Sequence, residues 1–233
     1  MKAINPSLLK KLPSTRLINE FSIWSADLLN IGKDLKRIHK YADILHIDVA
    51  DGHFSPNFLL FPDLVSAIRK ATTTPIHIHL MATDSIVLYQ IKQFVELKVD
   101  LISIHLENKK IIDKALDLIN KKKIAAGLVL KINTPVKGIK KYLKKINYIT
   151  LLGTNIGVKG QNLDNRAKDR LTEAKLIIKK CNLKKRIILS ADGGIRKNTV
   201  SILKKSGAEA IVLGSLAFST KNLFYQMKWI NSL

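Results

Sequence analysis

Residues 43–49 read DILHIDV and residues 75–81 read PIHIHLM. Both are short and rich in β-branched residues, the mark of a strand. Six more runs of this kind lie at 21–25 (FSIWS), 100–105 (DLISIH), 124–130 (IAAGLVL), 147–152 (NYITLL), 186–191 (RIILSA) and 209–214 (EAIVLG). The segments between them carry apolar residues at helical spacing, such as Leu28, Ile31, Leu35 and Ile38, or Ile111, Ile112, Ala115, Leu118 and Ile119. Strands alternating with helices imply a parallel sheet. Eight such units between residues 21 and 214 match a single (β/α)8 TIM barrel, slightly below its usual size. A doubly wound sheet is the rival, but it rarely needs eight strands. No linker or low-complexity stretch divides the chain, so one barrel domain is expected over residues 20–233, with a short N-terminal extension over 1–19. That extension is expected to be an assembly contact or a mobile arm.

The composition is that of a globular protein, with 46% hydrophobic and 25% charged residues over 233 positions. The single cysteine, Cys181, excludes a disulfide framework and fits a reducing compartment. No run approaches the roughly 18 apolar residues of a membrane span. Met1 to Lys11 holds no apolar core of a secretory signal, so a cytoplasmic location is expected. The formal charge is +22, from 40 Lys+Arg against 18 Asp+Glu. Such a balance invites a nucleic-acid partner. Its distribution argues against one. The lysines sit in small clusters, such as 121–123, 144–145, 184–186 and 204–205, late in helical stretches, where cations complement the helix dipole. No basic block carries the interleaved aromatics of a base-stacking platform.

Barrel active sites lie at the C-terminal ends of the strands. The unusual polar residues fall there. His46 and Asp48 are two apart and share a strand face, while Leu45, Ile47 and Val49 point the other way, toward helices. His77 and His79 repeat the pattern on the third strand, with Met81 beyond, and Asp192 ends the seventh. Inside a barrel such groups are costly unless paired or metal-bound. His46, Asp48, His79 and Asp192 therefore form a candidate site for Zn²⁺, Mn²⁺, Fe²⁺ or Co²⁺. His77, one layer deeper, is a candidate supporting residue, and His105 a candidate cavity wall. Gly193-Gly194 after strand seven and Gly214-Ser215 after strand eight mark the loops that often hold a phosphate in barrels. Together with the glycine-bearing loop Gly153–Gln161, they point to a small phosphorylated substrate.

These residues carry a resemblance to the ribulose-phosphate 3-epimerase family, covering nearly all the chain from Phe21 onward. Ser22-Ile23-Trp24-Ser25-Ala26-Asp27 is similar to the family's first-strand motif, and Leu45 to Asn57 to its long strand-two signature. His79-Leu80-Met81, Gly127 to Leu130 with Thr134-Pro135, Asp192 to Ile195 and Gly214-Ser215 match further family segments. The resemblance implies a TIM barrel holding a divalent metal, commonly zinc, by His46, Asp48, His79 and Asp192. It implies that Asp48 and Asp192 are the acid/base pair, one on each face of a planar enediolate that the metal stabilises as a Lewis acid. Ser22, His79, Met81, Gly157, Lys159, Gly160, Gly193, Gly194, Gly214 and Ser215 are the expected substrate contacts. A homo-oligomer, dimer or hexamer, is also implied.

The chain departs from the family pattern where the substrate sits. Ala50 and Leu152 stand where the family usually has methionines, whereas Met81 is kept. Asn155-Ile156-Gly157-Val158-Lys159-Gly160-Gln161 replaces a typical Asn-Pro-Gly-Phe-Gly-Gly-Gln, and Lys131-Ile132 replaces Asn-Pro. Lys159 is placed to meet a phosphate or carboxylate as a point charge. D-ribulose 5-phosphate to D-xylulose 5-phosphate is the leading expected reaction. The alternatives are another ketose phosphate, such as D-allulose 6-phosphate or a four-carbon sugar phosphate, and a barrel that binds sugar phosphate without turning it over.

Overall fold

The computed structural model describes residues 6–233. Eight parallel strands close on one another in sequence order, each hydrogen-bonded to the next and β8 to β1. They are β1 (Ile18–Ser22), β2 (Ile44–Ala50), β3 (Ile76–Met81), β4 (Leu101–His105), β5 (Ala125–Leu130), β6 (Tyr148–Leu152), β7 (Ile188–Asp192) and β8 (Ala210–Leu213). Helix α1 (Pro6–Lys11) precedes the barrel, and α2 (Ile31–Ile38), α3 (Pro62–Ala71), α4 (Val87–Glu96) and α5 (Ile112–Lys121) follow the first four strands. A 3₁₀ turn over Val136–Lys141 replaces a helix between β5 and β6. The ring is completed by α6 (Ala167–Lys180), α7 (Val200–Lys205), α8 (Ser215–Phe218) and α9 (Leu223–Ser232).

Each helix owes its place to one apolar face. In α5, Ile112, Ala115, Leu116 and Ile119 are buried at the 3–4 residue spacing of a helix stripe. They pack with Leu45, Ile47 and Val49 of β2 and their equivalents in the core between barrel and helices. Basic residues occupy the last turns of α2, α3, α5, α6 and α7, where they meet the carbonyl ends of those helices.

The barrel interior is filled from the other set of alternating side chains. At the N-terminal ends of the strands, Ile18, Ile44, Leu101, Ala125, Tyr148, Ile188 and Ala210 form an apolar floor. Leu8 of α1 and the following Leu12 pack against that floor and close it. The segment is tied down by Arg16, which forks onto both Asp43 oxygens at 2.7 and 2.8 Å, and by Arg186, which donates to the Pro13 carbonyl at 3.0 Å. Residues 8–17 of the expected extension thus serve as a plug in the described structure, while residues 1–5 lie outside the described residues.

Strand β1 differs from expectation. It runs over Ile18–Ser22 rather than 21–25, and Ile23–Ser25 turn off as a 3₁₀ helix. The last two residues of the expected 1–19 arm are therefore barrel strand. The cause is the inward-facing Glu20, an acidic residue inside a strand that breaks the apolar pattern by which strands are recognised.

If α1 is a structural plug, truncating its buried leucine opens a cavity at the barrel floor. Leu8→Ala is expected to lower stability by about 2–4 kcal/mol in denaturant unfolding, with the circular dichroism of the folded barrel unchanged. A cost below about 0.5 kcal/mol would show that the arm does not seal the floor.

Candidate active site

The C-terminal ends of β2, β3 and β7 bring together the groups named from the sequence. Register places Asp48 beside His79 and His46 beside His77, and pairs Asp192 with Leu152. His46 Nε2 lies 3.3 Å from Asp48 Oδ1 and 3.9 Å from Asp192 Oδ2. His79 Nδ1 lies 3.1 Å and 3.8 Å from the same two oxygens. Donor atoms around a tetrahedral zinc at about 2.0–2.1 Å stand roughly 3.3–3.4 Å apart. The four atoms therefore have the spacing of a first coordination shell.

The chemistry of the donors fits a cation as well. His46 Nε2 is fully buried and has no hydrogen-bond partner among the described residues. Burial would lower the basicity of His46, but Asp48 and Glu20 outweigh it and hold its pKa well above the usual histidine range. The site therefore attracts positive charge at that nitrogen. Burial pushes Asp48 up, but the attraction of His46 and the close approach of His79 prevail, so it stays ionised well below the usual carboxylate range. Its other oxygen, Oδ2, accepts the Ser22 hydroxyl at 2.9 Å. Asp192 moves the opposite way: burial, helped by the Asp48 and Glu20 charges, outweighs the attraction of His46 and His79 and raises it. Two carboxylates with proton affinities driven apart are what one base and one acid need.

Under this site lies a polar layer whose centre is Glu20. Its carboxylate accepts from His77 Nδ1 at 2.7 Å, from His46 Nδ1 at 3.0 Å, from Ser190 Oγ at 3.0 Å and from the Tyr148 hydroxyl. His77 also meets Ser103 Oγ through Nε2 at 2.7 Å, so it is a supporting residue one layer down. His79 is backed differently. Its Nε2 meets His105 Nε2 at 2.9 Å, and His105 Nδ1 meets Glu107 Oε2 at 3.1 Å. Burial pushes His105 down to about 4, and Glu107, though pushed up by burial, is brought to about 2 by its bonds from His105 and Thr134. A neutral His105 that donates to an ionised Glu107 must accept from His79 Nε2–H. That leaves the lone pair of His79 on Nδ1, facing the two aspartates.

Above these groups opens a cavity of about 330 Å³. Ser22, Asp48, His79 and Met81 line one side, and Asp192, Gly193, Gly194, Gly214 and Ser215 the other. Gly157, Lys159 and Gly160 close over it from the loop after β6. Gly193 and Gly194 take φ of +89° and +68°, and a Cβ on Gly194 would stand 2.7 Å from the Leu163 backbone, so side chains are excluded at this turn. The loop after β6 is braced by the β2 loop, since Asn57 donates to the Gly157 carbonyl. Lys159 reaches across the mouth: its Nζ donates to the Trp24 carbonyl at 2.6 Å and stands 4.5 Å from the Trp24 ring centre. Leu152 lines the cavity and Ala50 is buried beside Met81 rather than lining it. Sequence reasoning missed Glu20 and Trp24 as parts of this site. A charged residue two positions before Ser22, on the same strand face, was the available signal for Glu20.

Comparison with known proteins agrees with this geometry. The model of the Ribulose-phosphate 3 epimerase family matches residues 18–218. The chain is 34% identical over 213 residues to the ribulose-phosphate 3-epimerase of Aquifex aeolicus, covering 91% of this chain and 94% of that protein. It is 32% identical to the ribulose-phosphate 3-epimerase of Bacillus subtilis, covering 84% and 90%. Among solved structures, 3-hexulose-6-phosphate synthase superposes with a TM-score of 0.66 at 14% identity, covering 93% of this chain and 99% of that one, a likeness of fold alone. No helix among the described residues is long and apolar enough to cross a membrane. Strand order, cavity and matched sequence agree, and the chain belongs to the ribulose-phosphate 3-epimerase family, an isomerase family of carbohydrate metabolism.

Proposed function

We propose that this chain is a divalent-metal-dependent 3-epimerase of a ketose phosphate, acting on D-ribulose 5-phosphate to give D-xylulose 5-phosphate. One observation carries the reading: Asp48 from β2 and Asp192 from β7 flank the same pair of imidazole nitrogens at the open end of the barrel and line one cavity. Inverting a carbon next to a ketone needs a base on one face and an acid on the other. A barrel that only bound sugar phosphate would have no use for two such carboxylates.

Asp48, held by the Ser22 hydroxyl, is placed to remove or return a proton on one face of the reacting carbon, and Asp192 on the other. Which acts first depends on the hand of the substrate. His46 through Nε2, His79 through Nδ1, Asp48 and Asp192 would hold the cation, and the two-histidine, two-carboxylate donor set at tetrahedral spacing suits Zn²⁺ best. A cation there supplies Lewis-acid polarisation of the substrate carbonyl. Gly193, Gly194, Gly214 and Ser215 give a close backbone approach for the phosphate. Met81 and Leu152 shape the wall beside the reacting carbons. Lys159 and Trp24 meet across the mouth of the cavity, where they can contact the substrate.

Proton NMR in D₂O tests this most simply. Zinc-loaded protein with D-ribulose 5-phosphate should lose the substrate's carbon-3 proton signal while D-xylulose 5-phosphate appears. Removal of the metal by a chelator should abolish both, and added Zn²⁺ should restore them. Exchange seen only with a four- or six-carbon ketose phosphate would keep the chemistry and reassign the substrate to the pocket that Leu152 and Lys159 shape. No exchange with any ketose phosphate would leave a binding barrel and refute the epimerase reading.

The two aspartates should also be separately indispensable. Asp48→Asn and Asp192→Asn are each expected to lower kcat by about 10²–10⁴-fold at saturating zinc. Either variant retaining more than a tenth of wild-type kcat would remove that residue from the acid/base pair.

A further inference from the structure

Glu20 sits in the barrel interior, fully buried, on the same face of β1 as Ser22 and one layer below the candidate metal site. A buried carboxylate is costly unless its oxygens are fully hydrogen-bonded. Here they are. Oε2 accepts from His46 Nδ1 and His77 Nδ1, and Oε1 from Tyr148 and Ser190. Four donors match the four lone-pair sites of one carboxylate.

This arrangement dictates how both imidazoles carry their protons. An ionised carboxylate can only accept, so each Nδ1 that meets Oε2 must bear hydrogen. His46 Nε2 then has a bare lone pair whenever its ring is neutral. That atom is buried and unpartnered, and it faces Asp48 and Asp192. Glu20, His46 and His77 are also close enough to suggest a second cation site. The hydrogen bonds exclude it: both Glu20 oxygens and both Nδ1 atoms are already engaged with one another in a space without solvent.

We propose that Glu20 is a positioning residue for the metal centre, fixing the His46 ring by its Nδ1–H so that Nε2 presents a lone pair to the cation. The proposal rests on the metal-dependent reading above. A carboxylate that holds the far nitrogen of a metal-ligating histidine sets both ring orientation and ligand basicity. Glutamine at position 20 has nearly the same shape but different capacity. Its amide offers one acceptor oxygen and two N–H donors. If the amide N–H faces the two rings, the proton of His46 is driven to Nε2, the atom that must be bare. If the oxygen faces them, the amide N–H meets the Tyr148 and Ser190 hydroxyls instead and the orienting charge is lost. Both arrangements weaken the site.

The test is the dissociation constant for Zn²⁺ alone, by chelator competition on the full chain near neutral pH, with thermal unfolding of the metal-free proteins alongside. Glu20→Gln is expected to bind zinc about 10–100-fold more weakly than wild type while remaining folded. Tyr148→Phe, which removes a donor from the other Glu20 oxygen, is expected to stay within about threefold. A Glu20→Gln affinity within threefold of wild type would overturn the proposal while leaving the metal reading intact. A Tyr148→Phe loss as large as that of Glu20→Gln would also overturn it, by showing that any loosening of this layer has the same effect. Wild-type protein that binds no zinc would remove the metal reading and the proposal together. Should Glu20→Gln fail to fold, ¹⁵N-histidine NMR of zinc-loaded wild type decides: His46 must show a protonated Nδ1 and a zinc-bound Nε2, and the reverse tautomer refutes the role of Glu20.

Discussion

Closing a parallel sheet into a barrel sends every second side chain inward, and that constraint organises this molecule from floor to mouth. On β2, Ile44, His46 and Asp48 step upward through three environments, an apolar floor, a buried polar layer and the edge of an open cavity. The same steps recur on β1 with Ile18, Glu20 and Ser22, and on β7 with Ile188, Ser190 and Asp192. A shift of one residue on any of these strands would turn its polar groups into the helical core, where nothing could satisfy them. Register and function are therefore one requirement.

Charge balance follows from that geometry. Glu20, Asp48 and Asp192 bring three acidic groups into or beside a layer from which water is excluded, faced by His46, His77 and His79. The opposite proton affinities of Asp48 and Asp192 arise from unequal sharing of these partners. Asp48 is within 3.3 Å of both imidazole nitrogens and holds Ser22, whereas Asp192 stands nearly 4 Å from each and feels the other two carboxylates. The two histidines that face them are each anchored from behind by a carboxylate, His46 directly by Glu20 and His79 through His105 by Glu107.

Much of this was legible in the chain because strand periodicity is two. His46 with Asp48 and His77 with His79 declare a shared face by spacing alone, and Asp192 followed by two glycines marks a strand end. The eight-strand alternation was readable for the same reason, and the lysine clusters at 121–123 and 204–205 fall at helix ends, whereas 144–145 lies in a turn and 184–186 beyond the end of α6. Glu20 was hidden because β1 starts at Ile18, three residues before the expected strand at 21–25, which left the glutamate one position outside that strand. Its four partners come from β2, β3, β6 and β7, a convergence no local pattern encodes. The plug formed by Leu8 and Leu12 and the reach of Lys159 to Trp24 are long-range contacts of the same sort.

The proposed chemistry requires His46 Nε2, His79 Nδ1, Asp48 and Asp192 to form one coordination shell. Anomalous X-ray diffraction from zinc-soaked crystals, collected on either side of the zinc absorption edge, tests it directly. A single strong peak about 2.0–2.2 Å from each of those four side chains is expected. A zinc peak lying elsewhere, or one bound through His46 Nδ1 in the Glu20 layer, would contradict it.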